Sequence, residues 1–369
     1  MTAQQACAAM EAGIKSAFPE AICLKVPLAD GGEGTMLALI SATGGKIFEH
    51  QVTDPRGNLV TGQYGILGDG QTGIVELASA SGLHLVPLPN RNPALTTTYG
   101  TGELIKQVLS HNINKLIICL GGSATNDGGA GIAQALGVKF LDNTGQEIAG
   151  GGGNLHKIDR IDLSEFISLP DGLTVEIACD VTNPLTGEQG ASRIYGPQKG
   201  AGPDQIKVLD QNLEHYANKL KAFLGKDVRN IPGAGAAGGA GAGLMAFLNG
   251  NLVSGIDLVI KHSELAEKIK KADYIFTGEG SIDGQTVNGK TISGVVALAK
   301  KHQKPVIAFA GRVADTEALY QIGLTAVFGI IPGILPLSEA LLTGEKNLQN
   351  AVTATVKLIA VATANKVAI

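Results

Sequence analysis

Two hydroxyls, an amide and a carboxylate fall within five residues at Ser123, Thr125, Asn126 and Asp127, between the pairs Gly121–Gly122 and Gly128–Gly129. The apolar run K-L-I-I-C-L precedes them from Lys115, and Ala133-Gln134-Ala135-Leu136 resumes a helical pattern after them. A strand, a polar turn and a helix start in this order let glycine backbone N–H groups crowd around an anion. The helix N-terminus adds positive potential. Packing gives no reason to cluster these side chains, so the turn reads as a ligand cradle.

Five more polar, Gly-rich segments accompany it: Asp30-Gly31-Gly32-Glu33-Gly34, Glu76–Gly82, Cys179–Pro184, Gly233–Gly243 and Thr277–Asp283. Most follow apolar runs, and in open parallel sheets ligands bind beyond the carboxyl ends of strands. Converging carboxylates there imply a metal–phosphate site or a general base. For Asp30, Asp127 and Asp283 a helix cap is the competing structural use. Capping does not account for Glu33 and Glu279, which lie between glycines. For Ala234–Gly243 the alternatives are close helix packing, slightly favoured, and phosphate binding. Lys199 is pinned in the turn Y-G-P-Q-K-G-A and is a candidate anion contact. G-Q-T-V-N-G-K-T (Gly284–Thr291) matches a P-loop pattern but stands six residues beyond its apolar run, with no second strand ending in Asp. Lys290 is therefore read as a phosphate contact in another fold. The seven histidines sit singly and receive no role, and no G-x-S-x-G elbow is present.

The elements that must position these residues alternate. Thr2 to Gln5 has the spacing of a capping box, so the chain opens with a helix. A strand is predicted at Ala21–Val26 and a helix at Met36–Ser41. Short apolar runs at Tyr274–Thr277, Pro305–Ala310 and Ala326–Ile331 alternate with helical patterns, which implies a parallel sheet. Between them Ile47–Val52, Leu59–Leu67 and Thr72–Leu77 read as a meander joined by turns at Asp54–Asn58 and Gly68–Gln71. One domain inserted into another is the reading: residues 1–45 and 268–369 form an α/β domain, and 46–267 a second, inserted α/β domain.

Composition narrows the function classes. Glycine contributes 51 of 369 residues, about twice the usual share of about 7%, without a triplet period. A net charge of −4 and no tryptophan argue against a nucleic-acid surface. The four cysteines are scattered in apolar patterns without metal spacing, as expected for free thiols in a reducing cytoplasm. The N-terminus lacks the pattern of a signal peptide, and the apolar run Ala351–Ile369 carries Lys357 and Lys366, so a packing helix is expected there.

Eight stretches in order, P-L-A-D-G-G-E-G-T, E-L-A-S-A-S-G-L, T-T-Y-G-T-G-E-L-I, G-G-S-A-T-N-D-G-G-A-G, C-D-V-T-N-P-L, Y-G-P-Q-K-G-A, P-G-A-G-A-A-G-G and T-G-E-G-S-I-D-G-Q-T, span residues 27 to 291. Together they resemble the bacterial glycerate kinase family. The resemblance implies a flavodoxin-like domain made from both chain ends, an inserted α/β domain, and a site between them. It also implies ATP- and Mg2+-dependent phosphorylation of D-glycerate, with 2-phosphoglycerate favoured as product. Positioning and charge neutralisation are what phosphoryl transfer needs. Family members begin with a strand and an A-P-D-S-F-K-type loop ahead of the T-A-Q-Q helix, whereas residue 1 here is already at that helix.

On this reading Asp30, Glu33 and Glu279 are candidates for Mg2+ coordination or proton acceptance, and Asp127 or Asp180 for orienting the attacking hydroxyl. Ser79, Ser123, Thr125, Asn126, Lys199 and the Gly121–Gly122 amides are candidate substrate contacts. Gly31, Gly32, Gly278, Gly280, Asp283 and Lys290 are candidate nucleotide contacts. Replacing Asp127 by Asn is expected to cost more in turnover than in stability. The rival readings are a kinase of another small hydroxy acid, and a binding homologue impaired by the absent first strand. The expected protein is cytoplasmic, with a small-molecule substrate and neither nucleic acid nor membrane as partner.

Overall fold

The computed structural model describes residues 1–29, 31–284, 286 and 290–365. They form two compact units, Gly31–Leu258 and Met1–Asp30 with Val259–Ile369.

In the unit Gly31–Leu258 the predicted meander is present as β1 (Lys46–Thr53), β2 (Leu59–Ile66) and β3 (Thr72–Glu76), paired antiparallel in turn. Both predicted turns are closed by carboxylates. Asp54 accepts from the Arg56 and Asn58 amides, and Asp69 from those of Gln71 and Thr72. Next comes β4 (Lys115–Cys119), while β5 (Lys139–Leu141) and β6 (Arg160–Asp162) form a separate antiparallel pair. With β7 (Thr174–Ala178) and β8 (Asn251–Val253) the main sheet runs β1-β2-β3-β4-β7-β8, parallel from β3 onward. Ile74, Val75 and Leu116 to Ile118 are all fully buried. This is why these strands read as continuous apolar runs and not as alternating ones. Leu104, Ile105 and Val108 of the helix Tyr99–Leu109 and Leu244 and Leu248 of the helix Ala236–Leu248 complete the core on one face.

The other unit holds a parallel sheet ordered β11 (Ala326–Gly329), β10 (Val306–Val313), β9 (Ile275–Ile282). Alternate residues of β10 serve two cores. Val306, Ala308 and Ala310 meet Ile292, Val296 and Leu319, whereas Ile307 and Phe309 meet Leu348 and Val352 of the C-terminal helix Gly344–Asn365. Met10 and Ile14 of the helix Ala3–Ala17 pack on the second core, and the capping box is formed: Gln5 N donates to Thr2 Oγ1 and Thr2 N to Gln5 Oε1.

The units divide at 30/31 and 258/259, where the sequence places crossings near 45 and 267. The helix Thr35–Thr43 accounts for the first difference, because Met36 N donates to Glu76 of β3 and Ile40 lies against Gly65 of β2. Leu265 and Ile269 account for the second by entering the core around Val296. Ala21–Val26 is not a strand. Its backbone joins no ladder and Ile22 is 90% exposed; packing of Val26 and Leu28 and an ion pair from Lys25 to Glu11 at 2.6 Å hold the segment. Conversely, β9 continues beyond Thr277, so Gly278–Ile282 is ladder-paired strand and not a turn. Among the described residues no helix is long and apolar enough to cross a membrane.

Candidate active site

Strand register brings the expected residues of the first unit to one edge. Glu76, Cys119, Ala178 and Val253 end β3, β4, β7 and β8 side by side. The turns that follow therefore leave from a common line, the carboxyl edge where parallel sheets bind ligands. The loop bearing Gly31, Gly32 and Glu33 lies across that edge. Gly31 N donates to Thr35 Oγ1, and a side chain on Gly121 would stand 2.6 Å from Gly32 Cα. Gly122 adopts a φ of +63°, and a Cβ there would fall 2.0 Å from Glu33 Oε1. Glycine meets both demands at 122 without backbone strain or a shift of Glu33.

The turn itself is held from within. Lys199 is 2% exposed, and its Nζ donates to Ser123 Oγ and to the Thr125 carbonyl, both at 2.7 Å. Burial pulls its pKa down to about 7, with the Asp127 charge pulling the other way. Asp127 is fully buried and its carboxylate is saturated with donors. Thr98 N and Oγ1 donate to Oδ2 at 2.7 and 2.9 Å, and the Gly129 and Gly131 amides donate at 3.1 and 3.3 Å. Burial raises its pKa and these donors oppose the rise. Asn126, also fully buried, donates to Ser192 Oγ. Thr125 Oγ1, Asn126 Oδ1 and the Tyr216 hydroxyl are buried without hydrogen-bond partners among the described residues. Ser123 alone of the four retains some exposure.

The Gly/Ala run supports this turn by contact. Gly128 N donates to the Gly238 carbonyl, and Cβ atoms on Gly238 or Gly243 would strike the Thr125 or Gly128 carbonyls at 2.0 and 2.5 Å. Close packing is what the small residues of 236–243 are used for.

Beside the turn is a cleft of about 280 Å³ lined by Glu33, Thr61, Gln63, Glu76, Ser79 and His84, among others. Glu33 Oε1 and His84 Nδ1 stand 4.0 Å apart, both side chains more than half exposed. Ser79 Oγ accepts from Gln63 N at 2.7 Å. The sequence assigned no role to Glu76 or His84. The available signal was position: Glu76 is the last residue of a buried strand, at the ligand-binding edge.

The remaining expectations are placed elsewhere. Asp180 follows β7 and accepts from Gly255 N at 3.2 Å. Gly278, Glu279 and Gly280 lie within β9 of the other unit, and Asp283, just beyond, pairs with Arg312 at 3.3 Å. Asp30 lies outside the described residues. So do positions 285 and 287–289 of the P-loop-like stretch and the side chain of Lys290, which opens the helix Lys290–Lys301. Among the described residues no three His, Cys, Asp or Glu side chains are grouped to hold a metal ion. Mg2+ does not require such a cage, since it is usually bound by one or two carboxylates together with substrate phosphates and water.

Comparison with known proteins shows the family. The glycerate kinase family matches residues 1–360. A glycerate kinase of Bacillus subtilis is 50% identical over 341 residues, 92% of this chain and 89% of its own. The glycerate 2-kinase of Escherichia coli K12 is 49% identical over 92% of this chain and 90% of its own. A crystal structure from Salmonella typhimurium LT2, described as a glycerate kinase 2, superposes with a TM-score of 0.87 at 43% identity, covering 98% of this chain and 96% of the other. The chain belongs to the glycerate kinase family, phosphotransferases that act on a hydroxyl group.

Proposed function

We propose that the chain transfers the γ-phosphoryl group of ATP to D-glycerate, giving 2-phosphoglycerate, with Mg2+ bound alongside the nucleotide's phosphates. Product position follows the relative named glycerate 2-kinase. Flavodoxin-like architecture for the unit containing both chain ends belongs to the same reading, as do its Gly278, Glu279, Gly280, Asp283 and Lys290 as nucleotide contacts. Mg2+, when bound, neutralises phosphate charge.

The observation that carries the proposal is the buried Lys199 bonded to Ser123 Oγ. Because that oxygen accepts from an amine, the Ser123 O–H proton is left for a ligand carboxylate or phosphate, beside the Gly121–Gly122 backbone. Lys199, Thr125, Asn126 and Asp127 are assigned the positioning of this turn, since each is buried. Glu33 takes the proton of the attacking hydroxyl, and Asp180 orients it. Preorganised donors and a placed base suit a reaction in which the protein's contribution is alignment and charge.

Coupled measurement of ATP consumption with D-glycerate, L-glycerate, lactate and glycolate tests this reading, with ³¹P NMR of the product. Turnover of D-glycerate to the 2-phosphate is expected. Preference for another acid would favour a kinase of a different hydroxy acid, and no turnover of any would refute phosphoryl transfer.

A further inference from the structure

We infer that the cleft beside Gly122 is the acceptor subsite, with His84 as the contact for the substrate carboxylate and Glu76 as the residue that positions Glu33. The inference rests on the proposed function and adds the location and two residues.

Size comes first. At about 280 Å³ the cleft is just below the range of about 300–1,000 Å³ typical of sites for drug-sized ligands. A three-carbon hydroxy acid suits it and a nucleotide does not. Its lining is also mostly polar, which suits a ligand of one carboxylate and two hydroxyls.

The two carboxylates in the cleft differ in what they are free to do. Glu76 is committed to the start of the helix Thr35–Thr43. Its Oε1 accepts from Met36 N at 2.7 Å, and the Gly34 and Thr35 amides bond it as well. That helix has no side-chain cap of its own, so Glu76 supplies one from the end of β3. Two residues before this first turn, and fixed by it, is Glu33. Its carboxylate is 57% exposed and stands over the Cα of Gly122.

His84 is set opposite by the other wall. Leu83 N donates to the Gly122 carbonyl at 2.6 Å, and Ala124 N to that of Ser81 at 2.9 Å. These bonds clip 81–84 to the anion-binding turn and hold the imidazole 4.0 Å from Glu33. The spacing is too wide for a direct hydrogen bond and leaves both groups available to a ligand. The Ser79 hydroxyl, which accepts from Gln63 N, has its proton free to donate. An imidazole N–H of His84 thus meets the substrate carboxylate, and Glu33 the reacting hydroxyl. That oxygen bonds to the γ-phosphorus as the bond from phosphorus to the β–γ bridging oxygen breaks. Its proton passes to Glu33 and ADP departs.

The test uses the full chain in two measurements. Calorimetric titration of D-glycerate without nucleotide, on wild type and on His84→Gln, is expected to show binding weakened about tenfold or more in the variant. Steady-state kinetics should show a matching rise in KM for glycerate, with KM for ATP unchanged. Glu33→Gln should lower kcat roughly 100-fold or more. Glu76→Ala should lower kcat with little change in either KM. Glu76→Gln, whose amide oxygen still accepts from Met36 N, should recover most of that loss, a pattern that general destabilisation would not produce. Equal glycerate affinity in wild type and His84→Gln, or no glycerate binding to wild type, overturns the subsite. Loss of kcat in Glu76→Gln equal to that in Glu76→Ala overturns the positioning role. A wild type that binds glycerate but does not phosphorylate it would refute the proposed function and leave the subsite standing.

Discussion

Lys199 Nζ donates to Ser123 Oγ over 2.7 Å, although 76 positions separate the two residues. The same amine holds the Thr125 carbonyl, so one side chain fixes both ends of a three-residue arc. A lysine buried in this way is costly as a cation, and the structure keeps it where it braces the turn.

That cost gives stability a pH signature. In the unfolded chain Lys199 titrates near its ordinary 10.5, and in the folded protein at about 7. Between these values the unfolded state holds a proton that the folded state has released, so this residue makes stability rise with pH from about 7 toward 10.5. Below about 7 the full burial penalty applies. Lys199→Met should flatten this rise, measured as the difference between wild-type and variant urea midpoints across pH 6 to 10. Parallel profiles would show that the amine titrates elsewhere.

Asp127→Asn should be a stability variant before it is a catalytic one, the reverse of the expectation from sequence. An amide NH2 in place of one oxygen would face the Thr98, Gly129 or Gly131 N–H groups, donor against donor. Leaving such buried donors unpaired should cost about 2–4 kcal/mol. Chemical denaturation checks this, with kcat corrected for the folded fraction. Full stability with turnover abolished would restore a direct catalytic role.

Two neighbouring glycines should respond differently to alanine. At Gly122 the new methyl meets the end of the Glu33 side chain, which can swing away, and the left-handed backbone adds about 1–2 kcal/mol. Activity should fall more than stability. At Gly121 the methyl meets the Gly32 backbone at 2.6 Å, so the loop must move and the thermal midpoint should fall further.

Thr125→Val should leave stability unchanged or raise it by up to about 1 kcal/mol, because the buried hydroxyl has no partner among the described residues. The backbone carbonyl that holds Lys199 is retained. A fall of several degrees in thermal midpoint would instead mean that an ordered water satisfies this hydroxyl.

Much of the fold was legible because its signals are local. The capping box at Thr2–Gln5, the turns at Asp54 and Asp69 and the apolar run of β4 each report on near neighbours. The Ala21–Val26 segment departs from expectation because a short apolar run, A-I-C-L-K-V, shows that a stretch can be extended and not whether a ladder partner exists. β9 outruns its apolar stretch for the opposite reason: Gly278 and Gly280 have the look of a turn, but pairing with β10 overrides their preference. At the candidate site, Ser123 and the glycines stand out in the sequence by their clustering. Asp127 carries the same polar character whether exposed or saturated by Thr98, and only packing distinguishes the two. The places of His84 and Glu76 are not legible in the sequence, because they are set by Gly122 and Met36, residues distant in sequence.

The bond from Met36 N to Glu76 crosses 40 residues, and Glu76 in turn reaches its place only when β3 has paired in parallel with β4. Nonlocal parallel pairings of this kind form late, since chain closure must precede the contacts that reward it. The helices Tyr99–Leu109 and Pro203–Leu224 can form early, but the carboxylate that caps the helix Thr35–Thr43 cannot act until the sheet is registered. Phosphotransferase competence should therefore be the last property regained on refolding, with turnover lagging behind far-UV ellipticity.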